Sequence, residues 1–128
     1  MNQALTLFQE SAVVFPQGAR LAREAEWNAH PVFKGVWLKH LVLGKDTGGL
    51  LSCHLVRVEE GCEIGNHVHA DSVELHEVLS GRGSCEVEGR ETAYVPGICL
   101  VVPKGAPHKV SALDGDMYLL AKFAPALL

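Results

Sequence analysis

Seven histidines occur in 128 residues, and most of them fall between Val36 and His108. The densest stretch is GCEIGNHVHADSVELHEVLSG, from Gly61 to Gly81. His67 and His69 are two positions apart, so in an extended strand both project from one face with Cα atoms ~6.6 Å apart. That spacing lets two imidazoles converge on a single metal ion. Glu74 follows after a short connection and can supply a carboxylate. A second segment, PGICLVVPKGAPH, ends in His108 directly after the Pro103-x-Gly105 turn. Three imidazoles and one carboxylate would hold a divalent ion and leave room for water or a substrate. An H-x-H pair alone is more often strand decoration than a ligand pair, so the frame around it has to decide.

That frame is written in short strands. Gly35–Leu43, Leu50–Val58, Val73–Leu79, Ser84–Val87, Ile98–Val102, Lys109–Ser111 and Met117–Phe123 are rich in β-branched, aromatic and aliphatic residues. Turn residues separate them at intervals of about a dozen, among them Ser80–Gly83, Pro96-Gly97, Lys104–Pro107 and Asp114–Asp116. This is the spacing of an antiparallel sandwich or barrel. The first thirty-odd residues read differently. Ala19–Ala29 contains good helix formers with weak apolar periodicity, so a short helix and an irregular arm are both open. His30-Pro31 then forces an extended or turn conformation.

Composition excludes several classes of function. Apolar residues make up 48% of the chain and charged residues 20%, which rules out a disordered chain. The net charge is -4 with no basic run, so nucleic acid and anionic membranes are poor partners. No apolar stretch approaches the ~20 residues that span a bilayer. The N-terminus lacks a basic region and a cleavage site, so the expectation is a cytoplasmic protein. Cys53, Cys62, Cys85 and Cys99 form no C-x-x-C pair and are expected to be reduced thiols rather than a disulfide framework.

The two histidine segments resemble the motifs of the cupin family. The first runs Gly61, five residues, His67-x-His69, four residues, Glu74, six residues, Gly81. The second runs Gly97, five residues, Pro103-x-Gly105, two residues, His108, with Ala112 where the family pattern places asparagine. The resemblance implies an all-β fold, a cupin-type antiparallel β-barrel or jelly roll over residues 34–124, preceded by an N-terminal arm over residues 1–33. It implies one divalent metal ion, iron, manganese, nickel or zinc, held inside the barrel by His67, His69, Glu74 and His108. The missing asparagine removes no ligand.

Alternation adds a tension and three more candidates. In Val73–Leu79, pattern alone would bury Leu75 and Leu79 and expose Glu74 and His76, whereas the resemblance turns Glu74 inward. Something must then cover the leucine face, either the arm or a second subunit, and a homodimer is expected. With Lys39, Arg57 and Glu59 facing outward, Val36, Leu38, His40, Val42, Ser52, His54, Val56 and Val58 face inward. His40, His54 and His76 are therefore the candidates to orient ligands or act as general base. Cys85 is expected in the core. The function implied is that of a metal-dependent cupin enzyme acting on a small polar metabolite, of dioxygenase, isomerase, lyase or decarboxylase type. A non-catalytic small-molecule-binding or metal-sensing cupin is the alternative.

Overall fold

The computed structural model describes residues 3–128. It opens on a short helix, α1 (Gln3–Glu10), and a hairpin of β1 (Ala12–Phe15) and β2 (Gly18–Leu21). A single 3₁₀ turn at Ala22–Glu24 leads to β3 (Trp27–Ala29). The remaining strands are β4 (Val36–Val42), β5 (Ser52–Val58), β6 (Glu63–His67), β7 (Val73–Val87), β8 (Arg90–Tyr94), β9 (Cys99–Val102) and β10 (His108–Ala124). The main sheet runs β3-β4-β5-β10-β7-β8, with β6 on β10 and β9 on β7, and the pairings are antiparallel. The all-β expectation therefore holds.

Two expectations about the strands are corrected. Ser80–Gly83 and Asp114–Asp116 do not separate strands: β7 runs through the first and β10 through the second. Between the pairs Asp114↔Arg82 and Tyr118↔Ser80, β10 advances four residues while β7 advances two. The Asp-Gly-Asp sequence is thus absorbed as a bulge, which bends a strand without ending it. Nor does Ala19–Ala29 form an α-helix; it contributes β2, the 3₁₀ turn and β3, and the helix lies earlier, at Gln3–Glu10.

Strand β5 is buried on both faces, which explains why its alternation is hard to read. Val56 and Val58 point into the barrel with Val36, Val78, Met117 and Leu119. Leu55 points the other way, with Leu41, Leu79 and Leu120, under Leu5 and Ala22 of the N-terminal segment. The arm thus covers part of the leucine face. Full burial of a side chain such as Leu55 stabilises by roughly 1.5–3 kcal/mol, so this second core fixes the arm as well as the sheet. Lys39 lies on the outward face as expected but is buried there, its ammonium donating to the Ala22 carbonyl (3.1 Å). Arg20 locks the hairpin down through a bidentate pair with Asp46 (2.8 and 3.1 Å).

Val42 departs from its expected inward position. A register shift between His40 and Val42 reverses the alternation, and Val42 packs with the outer core. Beyond the arm, the sheet face carrying Leu51, Val73, Leu75 and Val101 stays open, with Val101 61% exposed.

Candidate metal centre

His67 closes β6 and His108 opens β10, and the two residues pair directly across the ladder. His69 follows in the loop after β6, so its approach comes from that loop and not from strand alternation. The donor atoms of His67, His69 and His108 lie within 4.8 Å of one another, and this cluster could hold a metal ion. Ring centroids are 4.1 Å apart for His67–His108, 4.8 Å for His67–His69 and 5.2 Å for His69–His108.

Hydrogen bonds set the rings' orientation. His67 Nδ1–H donates to the Gly65 carbonyl (2.7 Å), and His108 Nδ1–H donates to the Ala106 carbonyl (2.9 Å). These backbone acceptors assign the proton to Nδ1 and leave an Nε2 lone pair on each ring, the state a metal needs. Burial lowers the pKa of His67 and takes that of His69 down to about 4, so both are neutral at pH 7.

Glu74 projects inward from β7 and is almost fully buried. Its Oε1 lies 3.1 Å from His108 Nε2 and 3.5 Å from His69 Nε2, while its Oε2 lies 2.8 Å from His76 Nε2. A carboxylate oxygen facing an imidazole lone pair at 3.1 Å is repulsive unless a cation, either a proton or a metal ion, lies between them. The three-histidine cluster therefore fits a divalent ion, with the Glu74 carboxylate beside it. Burial alone would raise the Glu74 pKa, but His76, His108 and His69 together hold it well below the usual carboxylate range. For His76 burial works against charge, and the Glu74 carboxylate outweighs it, lifting its pKa to about 9.

Behind His76 stands Tyr94, fully buried on β8, its hydroxyl 2.7 Å from His76 Nδ1. A buried tyrosine needs a partner for its hydroxyl, and this was the only sequence signal for it. Sequence reasoning missed Tyr94, and likewise Phe123 and His30. His40 and His54 are not brought to the triad. Their Nδ1 atoms meet each other at 2.8 Å, and His54 Nε2 reaches Ser52 Oγ at 3.1 Å. Phe123 stands between this pair and the centre, its ring 5.8 Å from His54 and 4.9 Å from His69. Burial and the neighbouring His40 push the His54 pKa down to about 4. Cys85 is in the barrel core, as expected.

Two of the three histidines, His67 and His69, line a small cavity of about 60 Å³. His67, His69 and Glu74 form its floor, and Val36, Leu38, Val56, Ile64, Phe123 and Leu127 form most of its walls. His30 also lines it.

The fold has relatives among solved structures. KdgF from Halomonas sp. superposes with a TM-score of 0.72 at 24% identity, over 82% of this chain and 90% of that one. A predicted oxalate decarboxylase from Thermotoga maritima gives 0.73 at 20% identity, over 80% and 95%. Ectoine synthase from P. lautus gives 0.66 at 25% identity, over 73% and 67%. No curated protein matches the chain by sequence. The Cupin_2 family model, described as a cupin domain, matches residues 54–121 and takes in both histidine segments. That span is more than half of the 128 residues, and the chain belongs to the cupin family.

Proposed function

We propose that this cupin is a metal-dependent enzyme acting on a small metabolite, with one divalent ion held by His67, His69, His108 and Glu74. The observation that carries the reading is the convergence of three imidazoles beside a buried carboxylate, two of the imidazoles and the carboxylate lining a cavity. A purely structural ion would have no use for the opening. The neighbours add support, since they include an ectoine synthase and a predicted oxalate decarboxylase. Imidazole and carboxylate together suit iron, manganese, nickel or zinc. Such an ion supplies a Lewis acid and lowers the pKa of bound water. In this chain the Gly65 and Ala106 carbonyls aim His67 and His108, and His76 holds Glu74 in place. His76 Nε2 is also the group we assign to proton transfer, with Tyr94 fixing its ring. His40 and His54, paired behind Phe123, back the cavity wall in this reading.

Elemental analysis of protein purified without added metal or chelator tests the proposal. Near-stoichiometric metal is expected in the wild type, with a drop of about tenfold or more in His67→Ala and His108→Ala, because each change removes a direct ligand. Metal content surviving both substitutions would refute the site. If His76→Gln kept both the metal and the rate, His76 would not be the proton-transfer group, whereas a metal-loaded wild type that turned over none of the candidate substrates would favour the non-catalytic binding alternative.

We also place the protein in the cytoplasm as a homodimer. Its four cysteines are free thiols, which fits a reducing compartment. The open sheet face around Leu51, Val73 and Val101 is the surface a second copy would cover. Light scattering on an eluting peak should give twice 13.8 kDa for the wild type and 13.8 kDa for Val101→Lys. A wild-type monomer at high concentration would refute the dimer.

A further inference from the structure

The cavity beside the triad holds about 60 Å³, well short of the roughly 300–1,000 Å³ of ordinary small-molecule sites. A metabolite therefore reaches the proposed ion through this cavity only if part of the lining moves. Eight of the eleven lining residues stand on strands, and the other three are His30, His69 and Leu127. His69 belongs to the triad, and the Gly105 N–H donates to its carbonyl (2.9 Å). His30 closes a turn. Its N–H donates to the Val36 carbonyl (2.8 Å), and its ring Nδ1 accepts the Val32 and Phe33 N–H groups. Leu127 is held differently. It lies beyond the last strand and is 40% exposed, yet it walls the cavity.

Four hydrogen bonds tie residues 125–128 down, none of them in a ladder. Ser72 Oγ–H donates to the Pro125 carbonyl (2.8 Å) and Ala126 N–H to the Gly49 carbonyl (3.0 Å). Leu127 N–H donates to Ser52 Oγ (3.0 Å), and Gly44 N–H to the Leu128 carbonyl. Gly44 allows a close approach: a Cβ there would stand 2.9 Å from the Leu128 carbonyl oxygen and 3.0 Å from Ala126 Cβ. Pro125, Leu127 and Leu128 are all exposed. Lifting the segment thus costs these bonds and little buried apolar surface, the conditions under which a segment opens while the rest stays folded.

We propose that residues 125–128 form a strap that closes the cavity beside the metal centre and swings aside to admit a metabolite-sized ligand. The inference rests on the metal-binding reading above and adds to it the moving part that the small cavity requires.

The test uses the full chain loaded with cobalt(II), whose absorption bands report the ligand set. Pyridine-2,6-dicarboxylate, too large for the closed cavity, is the probe, and the rate at which it removes the metal is the readout. Ser72→Ala deletes one of the four bonds and should speed removal about fivefold, the worth of one hydrogen bond. Gly44→Ala forces the strap away and deletion of residues 126–128 abolishes it, so each should speed removal by about tenfold or more. All three variants should keep the wild-type cobalt bands, since no ligand is touched. Removal at the wild-type rate after the deletion would overturn the proposal. So would Ala126 and Leu127 amides that exchange with deuterium no faster than those of Leu119 and Leu120 in β10. That exchange is measured on metal-free protein and judges the strap by itself. Failure of the wild type to take up cobalt would count against the metal reading alone.

Discussion

Glu74→Gln should cost the chelator-treated protein about 2–3 kcal/mol near pH 6 and almost nothing near pH 10. The carboxylate is what keeps a charge on His76, a side chain with only 2% of its surface exposed. Its pKa rises from an ordinary 6.5 to about 9 in the fold. A group whose pKa is raised on folding contributes its full share below the unfolded value and loses it as pH passes through the folded one. Here the stabilisation is complete below pH 6.5 and gone above about pH 9. At ~1.36 kcal/mol per pKa unit, the shift corresponds to about 3 kcal/mol, and breaking a buried pair from one side costs on that order. Thermal unfolding from pH 6 to 10 should therefore show a falling Tm for the wild type and a nearly flat one for Glu74→Gln. The comparison is confined to the alkaline side, because Glu74 is itself held well below the usual carboxylate range and contributes an acid-side share that the substitution also removes. Parallel curves on the alkaline side would show that the Glu74–His76 contact is not the stabilising pair.

The spacing that brings the three histidines together was legible in the sequence because it is local. His67-x-His69 and Pro103-x-Gly105-x-x-His108 each place their histidines through a few bonds of chain, and the ladder pair His67↔His108 then joins the two segments. Alternation also assigned the inward residues of β5 correctly, since no bulge interrupts it. Where bulges intervene the reading failed, at Val42 and at the two merged strands, because one extra residue flips every later side chain. Pattern marked the leucines of the outer face for burial but left open what covers them. Leu79 and Leu120 are apolar because α1 and the 3₁₀ turn lie over them, and nothing within β7 or β10 records that cover. His40 and His54 show a further limit. Alternation gives a face but not a depth, and a single aromatic side chain, Phe123, stands between that pair and the triad. Tyr94 and His30 come from segments carrying no motif, so only their contacts reveal them.

Three motif glycines and the nearby Gly83 fall into two classes that substitution should separate. Gly97 and Gly105 have φ of +97° and +74°, and a Cβ on either would meet nothing within 4 Å. Alanine there costs only backbone strain, about 1–2 kcal/mol. Gly81 has φ +86°, and its added Cβ would overlap the Asp116 carbonyl and come within 2.7 Å of Met117 Cα. Gly83 has an ordinary φ, but a Cβ there would overlap the Ser111 carbonyl. Both sit where β7 passes close to the bulged part of β10, and the obstructing atoms are backbone, with Ser111 and Met117 themselves paired in the sheet. Alanine at Gly81 or Gly83 should cost more than about 3 kcal/mol, enough to leave many domains largely unfolded. The same crossing carries Glu74 and His76 inward further along β7, so any folded fraction of Gly81→Ala should bind metal less tightly than Gly97→Ala. Denaturant unfolding of the four alanine variants measures the ordering. Equal losses at Gly81 and Gly97 would mean that positive φ alone explains the motif and that the close strand crossing contributes nothing.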